Sequence, residues 1–65
     1  MSTVFHSAVD LDESSLLVDA LSLSRIVRVR RVSYHGVELD EMFLDPGESR
    51  AFALALIVAA DEVAV

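Results

Sequence analysis

The spacing of apolar residues changes along the chain, and it is clearest in the C-terminal third. Phe52, Leu56, Ala59 and Val63 recur at helical spacing, Leu54, Ile57 and Val58 fall on the other sides, and no polar residue stands between Arg50 and Asp61. A helix that is apolar all round is a buried helix. Its start is well signalled: Asp45 suits an N-cap, Pro46 the first helical position, and Glu48 stands where a capping box needs a carboxylate. The pattern predicts a helix over about 46–62.

The middle of the chain changes to a strand pattern. Ile26 to Tyr34 is rich in β-branched residues, His35-Gly36 offers a two-residue turn in which glycine accepts positive φ, and Val37 to about Phe43 returns. A hairpin over about 26–43 follows. With that turn Tyr34 faces Val37, Val32 faces Leu39, Arg31 faces Asp40 and Arg30 faces Glu41. The last two are opposite-charge pairs, each worth roughly 0.2–1 kcal/mol, and they give the arginines a structural task.

The N-terminal third admits two readings. Thr3 to Val9 is strand-like. Asp10 with Glu13 resembles a capping box opening a helix through Leu23, with Leu16, Leu17, Ala20 and Leu21 on one face. Alternatively, Ser15–Val18 and Leu21–Leu23 are two strands around Asp19-Ala20. The expectation for the whole is one α+β domain, residues 1–65: a small antiparallel sheet packed on the C-terminal helix, with the N-terminal third a strand or short helix.

Size then changes the meaning of the apolar helix. A chain of 65 residues buries only about 60% of the surface its unfolded form exposes, and disulfides, metals or association are the usual remedies. There is no cysteine, which removes disulfides and thiolate zinc sites together. Association is left, and a helix too apolar for one small chain to cover points the same way. Phe52, Leu54, Leu56, Ile57 and Val58 are the expected oligomer interface, with a homodimer as the first expectation and another protein as a further partner.

The formal net charge is -6 and all five basic residues are arginine. That balance argues against non-specific nucleic-acid binding, which rests on neutralising phosphates, but Arg25, Arg28, Arg30 and Arg31 form a local basic stripe. They are the candidate contacts for a partner or for DNA. The longest uncharged apolar run, Ala51 to Ala60, spans ten residues, about half of what crosses a bilayer. With no basic-then-apolar leader pattern at the start, the expected compartment is the cytoplasm, without membrane contact.

Catalytic and cofactor signals are weak. Asp10, Asp12 and Glu13 suggest a calcium loop, but its sixth and twelfth positions need glycine and glutamate and hold Ser15 and Leu21; acids at a helix start are the preferred reading. His6 and His35 lie far apart with no nucleophile placed beside either. No serine sits in a Gly-x-Ser-x-Gly elbow, and two glycines cannot build a phosphate-cradling loop. No enzymatic activity, cofactor or metal is expected. At the far end of the helix, Asp61 and Glu62 oppose the macrodipole; they are either screened by water or met by arginines across an interface.

Two resemblances bear on function. Gly47-Glu48-Ser49-Arg50-Ala51 followed by an apolar helix resembles the second helix of ribbon-helix-helix repressors, with Arg28-Val29-Arg30 at the distance of their DNA-reading strand. It implies a DNA-binding repressor reading through Arg28 and Arg30, and it requires a helix across residues 33–44. Gly36-Val37-Glu38-Leu39 leading to Asp45–Ala51 and closing Ala59-Ala60-Asp61-Glu62 resembles small uncharacterised proteins of actinobacteria and their bacteriophages, which implies a strand-plus-helix unit and no chemistry. The expected function is a small non-enzymatic, self-associating accessory or regulatory protein, with the repressor as the alternative.

Overall fold

The structure, a computed structural model, describes residues 3–64. Four strands, β1 (Thr3–Asp10), β2 (Ser14–Leu21), β3 (Ile26–Ser33) and β4 (Glu38–Leu44), precede one helix, α1 (Pro46–Val63). The strands form an antiparallel sheet in the order β1-β2-β3-β4, a meander in which each strand pairs with its sequence neighbours. The α+β expectation, sheet plus C-terminal helix, is borne out.

In the N-terminal third neither the helix nor the hairpin around Asp19-Ala20 forms. The chain runs straight through Asp19 and Ala20 as part of β2 and reverses at residues 22–25 instead. That turn holds Arg25 in the left-handed region, at φ 54°. A non-glycine residue rarely sits there, so the turn lacks the glycine or asparagine that marks most hairpins. Asp10, Asp12 and Glu13 correspondingly cap no helix. Asp10 ends β1, where its carboxylate accepts from the Ser15 hydroxyl at 2.9 Å, and Asp12 and Glu13 form the β1–β2 tip. Tyr34 braces that tip from the far hairpin, its hydroxyl lying 2.6 Å from the Leu11 carbonyl oxygen and 2.9 Å from that of Asp12.

The β3–β4 hairpin forms, with a different tip from the expected one. Ser33 and Val37 close a three-residue loop, Gly36 donating to the Ser33 carbonyl and Ser33 to that of Val37, both at 2.9 Å. Gly36 takes φ 83°, as such loops require at their third residue. The longer loop shifts the register by one, so Val32 pairs with Glu38 rather than Leu39. An irregularity between Arg31 and Val32 then leaves Leu39 as the extra residue and restores Arg31↔Asp40 and Arg30↔Glu41 as expected.

Register sorts the side chains onto two faces, because successive residues of a strand point to opposite sides. Phe5, Ser7 and Val9 of β1 align with Ala20, Val18 and Leu16 of β2, which align with Val27, Val29 and Arg31 of β3 and then with Leu44, Met42 and Asp40 of β4. This face is apolar, with charge confined to the Arg31–Asp40 corner. The other face carries His6, Asp19, Arg28, Arg30 and Glu41.

The helix follows β4 directly. Its capping box is complete: the Glu48 amide donates to the Asp45 carboxylate at 2.7 Å, the Asp45 amide donates to the Glu48 carboxylate at 3.0 Å, and the Ser49 hydroxyl adds a bond to the Asp45 carbonyl at 2.8 Å. Asp45→Ala removes one half of this and is expected to cost about 1 kcal/mol of stability, read from urea unfolding curves at fixed protein concentration.

The helix approaches β3 and β4 and reaches neither β1 nor β2. The chain's Cα radius of gyration is 13.1 Å, where a compact domain of this length has roughly 10.7 Å. No described helix residue is buried, and Leu21 is the one described hydrophobic residue that is. A core enclosed on all sides is missing from the single chain.

Candidate functional site

Two surfaces stand out, one on each face of the sheet. On the apolar face the first half of the helix leans over β3 and β4 and leaves a groove of about 360 Å³. Its floor is Val9, Leu16, Val18, Val27, Val29 and Leu44, and its wall is Ser49, Phe52, Ala53 and Leu56. A second hollow of about 340 Å³ shares Leu16 and Val29 and runs toward Met42 and the Arg31–Asp40 pair. Together they make one continuous surface, apolar beneath the helix and charged at the Arg31, Asp40 and Glu41 end. Contiguous apolar patches of this kind mark interaction sites more often than they mark bare protein surface.

The expected interface residues lie on this side of the molecule but on different flanks of the helix. Phe52 and Leu56 turn toward the sheet and line the groove. Leu54, Ile57 and Val58 line neither hollow, and all of these helix residues are exposed, groove-lining Leu56 included. The floor of the groove, which comes from all four strands, is not among the expected interface residues. Its signal in the sequence is the apolar set Leu16, Val18 and Ala20 at every second position, which falls on one face once residues 14–21 are taken as one uninterrupted strand.

On the opposite face Asp19 sits in the middle of β2 and is 2% exposed. The register places His6 beside it on β1 and Arg28 beside it on β3. His6 donates from Nδ1 to Oδ1 of Asp19. Arg28 reaches Oδ2 through Nε at 3.3 Å and Nη2 at 3.0 Å, and Arg30 reaches the same oxygen through Nη2 at 3.0 Å. The hydrogen bond from His6 is the largest influence on the Asp19 carboxyl; with those from Arg28 and Arg30 it outweighs the opposing effect of burial and lowers the pKa from 3.8 to about 2. The carboxylate is covered rather than deep. Its cover is one side chain thick, and that of His6 is 54% exposed.

This cluster redefines the arginines. Arg28 and Arg30 are held by Asp19, and Arg30 turns to it rather than to Glu41, so the expected Arg30–Glu41 ion pair does not form despite the correct register. The Nε of Arg30 is buried without a hydrogen-bond partner. Arg31 does bind Asp40, through Nη2 at 2.8 Å and Nε at 3.1 Å, in an exposed pair of the kind that contributes little. Arg25 stands apart in the β2–β3 turn. The four do not form one contact surface: their side chains divide between two faces and a turn.

The ribbon-helix-helix arrangement is absent as well. Residues 33–44, which it requires to be helical, are a turn and β4, because the β-branched and charge-paired register of this hairpin competes successfully with helix formation. His35 is exposed in that turn, far from the His6–Asp19 cluster. Among the described residues no three His, Cys, Asp or Glu side chains converge on one point, and no helix is long and apolar enough to cross a membrane.

No family model, curated protein or solved structure matches this chain.

Proposed function

We propose that this chain is a small non-enzymatic, self-associating accessory or regulatory protein that acts in the cytoplasm through protein–protein contacts. One observation carries the reading: an apolar sheet face and a helix apolar on every side both stand open to solvent in the single chain. The charged groups support it from the other direction. The buried carboxylate of Asp19 is taken up by His6, Arg28 and Arg30, which is how a structural charge is stabilised.

The test is the mass in solution. Size-exclusion chromatography with light scattering at micromolar concentration is expected to give a multiple of 7.1 kDa. A particle of the single-chain mass overturns the reading.

A further inference from the structure

Resting on the self-association just proposed, the structure also indicates which surfaces meet. We propose that a second copy of this chain places its helix on the β1–β2 half of the apolar face, giving a two-fold dimer in which two helices lie side by side between two sheets. Each helix then has its own sheet on one side and its partner's on the other.

The width of the sheet is the first argument. Strands lie about 4.8 Å apart, so a four-stranded face has room for two helices of about 10 Å diameter. The chain's own helix takes the β3–β4 half and reaches neither β1 nor β2. The other half carries Phe5 and Val9, 56% and 52% exposed, beside Leu16.

The helix supplies the second argument. Ser49, Phe52, Ala53 and Leu56 face the chain's own sheet, while Leu54 and Val58 stand on the opposite side of the helix, with Ile57 on the flank between the two sides, one turn on from Ala53. A helix with apolar ridges on two opposite sides belongs in the middle of three layers. The chain supplies a layer for one ridge, and a copy supplies the same layer for the other. Two-fold symmetry satisfies both chains at once.

Area agrees with a copy as the occupant. A compact chain of this mass exposes roughly 4,100 Å², and this one exposes 5009 Å². The excess, roughly 900 Å², matches the share of about 800 Å² that each partner contributes to a stable interface.

The experiment uses the absence of native cysteine. The double variant Val9→Cys with Ile57→Cys is oxidised and run on a denaturing, non-reducing gel, beside the two single variants. The double variant is expected to run as a covalent dimer, with either single variant giving less than a tenth as much. Ile57→Asp, whose site is exposed in the single chain, is expected to elute as a monomer. If Ile57→Asp does not fold, the crosslink alone decides. A wild-type dimer without the 9–57 crosslink, or a dimer that survives Ile57→Asp, overturns this arrangement and leaves self-association standing through another surface, such as the β1 edge. A monomeric wild type overturns both and leaves the face to a different protein.

Discussion

An Asp19→Ala variant loses about 3 kcal/mol of unfolding free energy, at the low end of what removing one partner from a buried ion cluster costs. The low end applies because the cover over Asp19 is one side chain thick, so the orphaned guanidinium groups of Arg28 and Arg30 can turn toward water. Part of the loss remains, because the bonds that Asp19 accepts from His6, Arg28 and Arg30 are gone together. Urea unfolding of wild type and variant at matched concentration measures it, and a difference under 1 kcal/mol contradicts the account of this face.

The same cluster sets an acid limit. The Asp19 carboxyl titrates at about 2 in the folded chain against 3.8 ordinarily. A group whose pKa is depressed by folding stabilises fully above its ordinary value and loses that contribution as pH falls through the folded value. The contribution is about 2 kcal/mol, present above pH 4 and lost progressively between about pH 4 and pH 2. Asp19→Ala is expected to flatten the difference in stability between those two pH values relative to wild type.

The second large effect concerns protein concentration. A single chain in which Leu21 is the one described hydrophobic residue buried has little apolar burial to set against the roughly 1–2 kcal/mol of backbone entropy lost per ordered residue. Where the interface completes the core, unfolding and dissociation become one event. Apparent stability then rises with concentration by mass action, about 1.4 kcal/mol for each tenfold increase in a dimer. The direction is independent of which surfaces meet.

Much of the fold is legible in the sequence, and the illegible parts have definite causes. The helix announces itself through Asp45, Pro46 and Glu48, whose capping chemistry is local and needs no tertiary context. The β3–β4 pairing is legible from charge: Arg31 and Asp40 are bonded and Arg30 lies opposite Glu41, as the sequence pattern indicates. The tip is not, because a three-residue loop and an extra Leu39 cancel within a few residues, leaving the downstream register the same as a two-residue turn gives. The β2–β3 turn is hidden for a different reason. Arg25 takes a left-handed conformation that glycine or asparagine ordinarily marks, so Ser22 and Ser24 give the reversal only a weak signal.

That hidden turn also conceals both surfaces. With residues 14–21 read as one strand reversing at 22–25, Asp19 falls between His6 and Arg28, and Leu16 and Val18 fall on the floor of the groove. The helix residues Phe52 to Val58 were legible as an apolar surface from periodicity alone. Their division into a ridge facing the chain's own sheet and a ridge facing away needed the structure, since it depends on how the helix leaves β4.

Urea unfolding followed by far-UV circular dichroism at about 1 µM and about 100 µM chain tests most directly whether the core is completed between chains. An apparent stability higher by about 2.7 kcal/mol is expected at the higher concentration, with a correspondingly higher midpoint and an unchanged slope. Superimposable curves at the two concentrations, with a cooperative transition at both, contradict it: the chain then folds alone with its apolar face open.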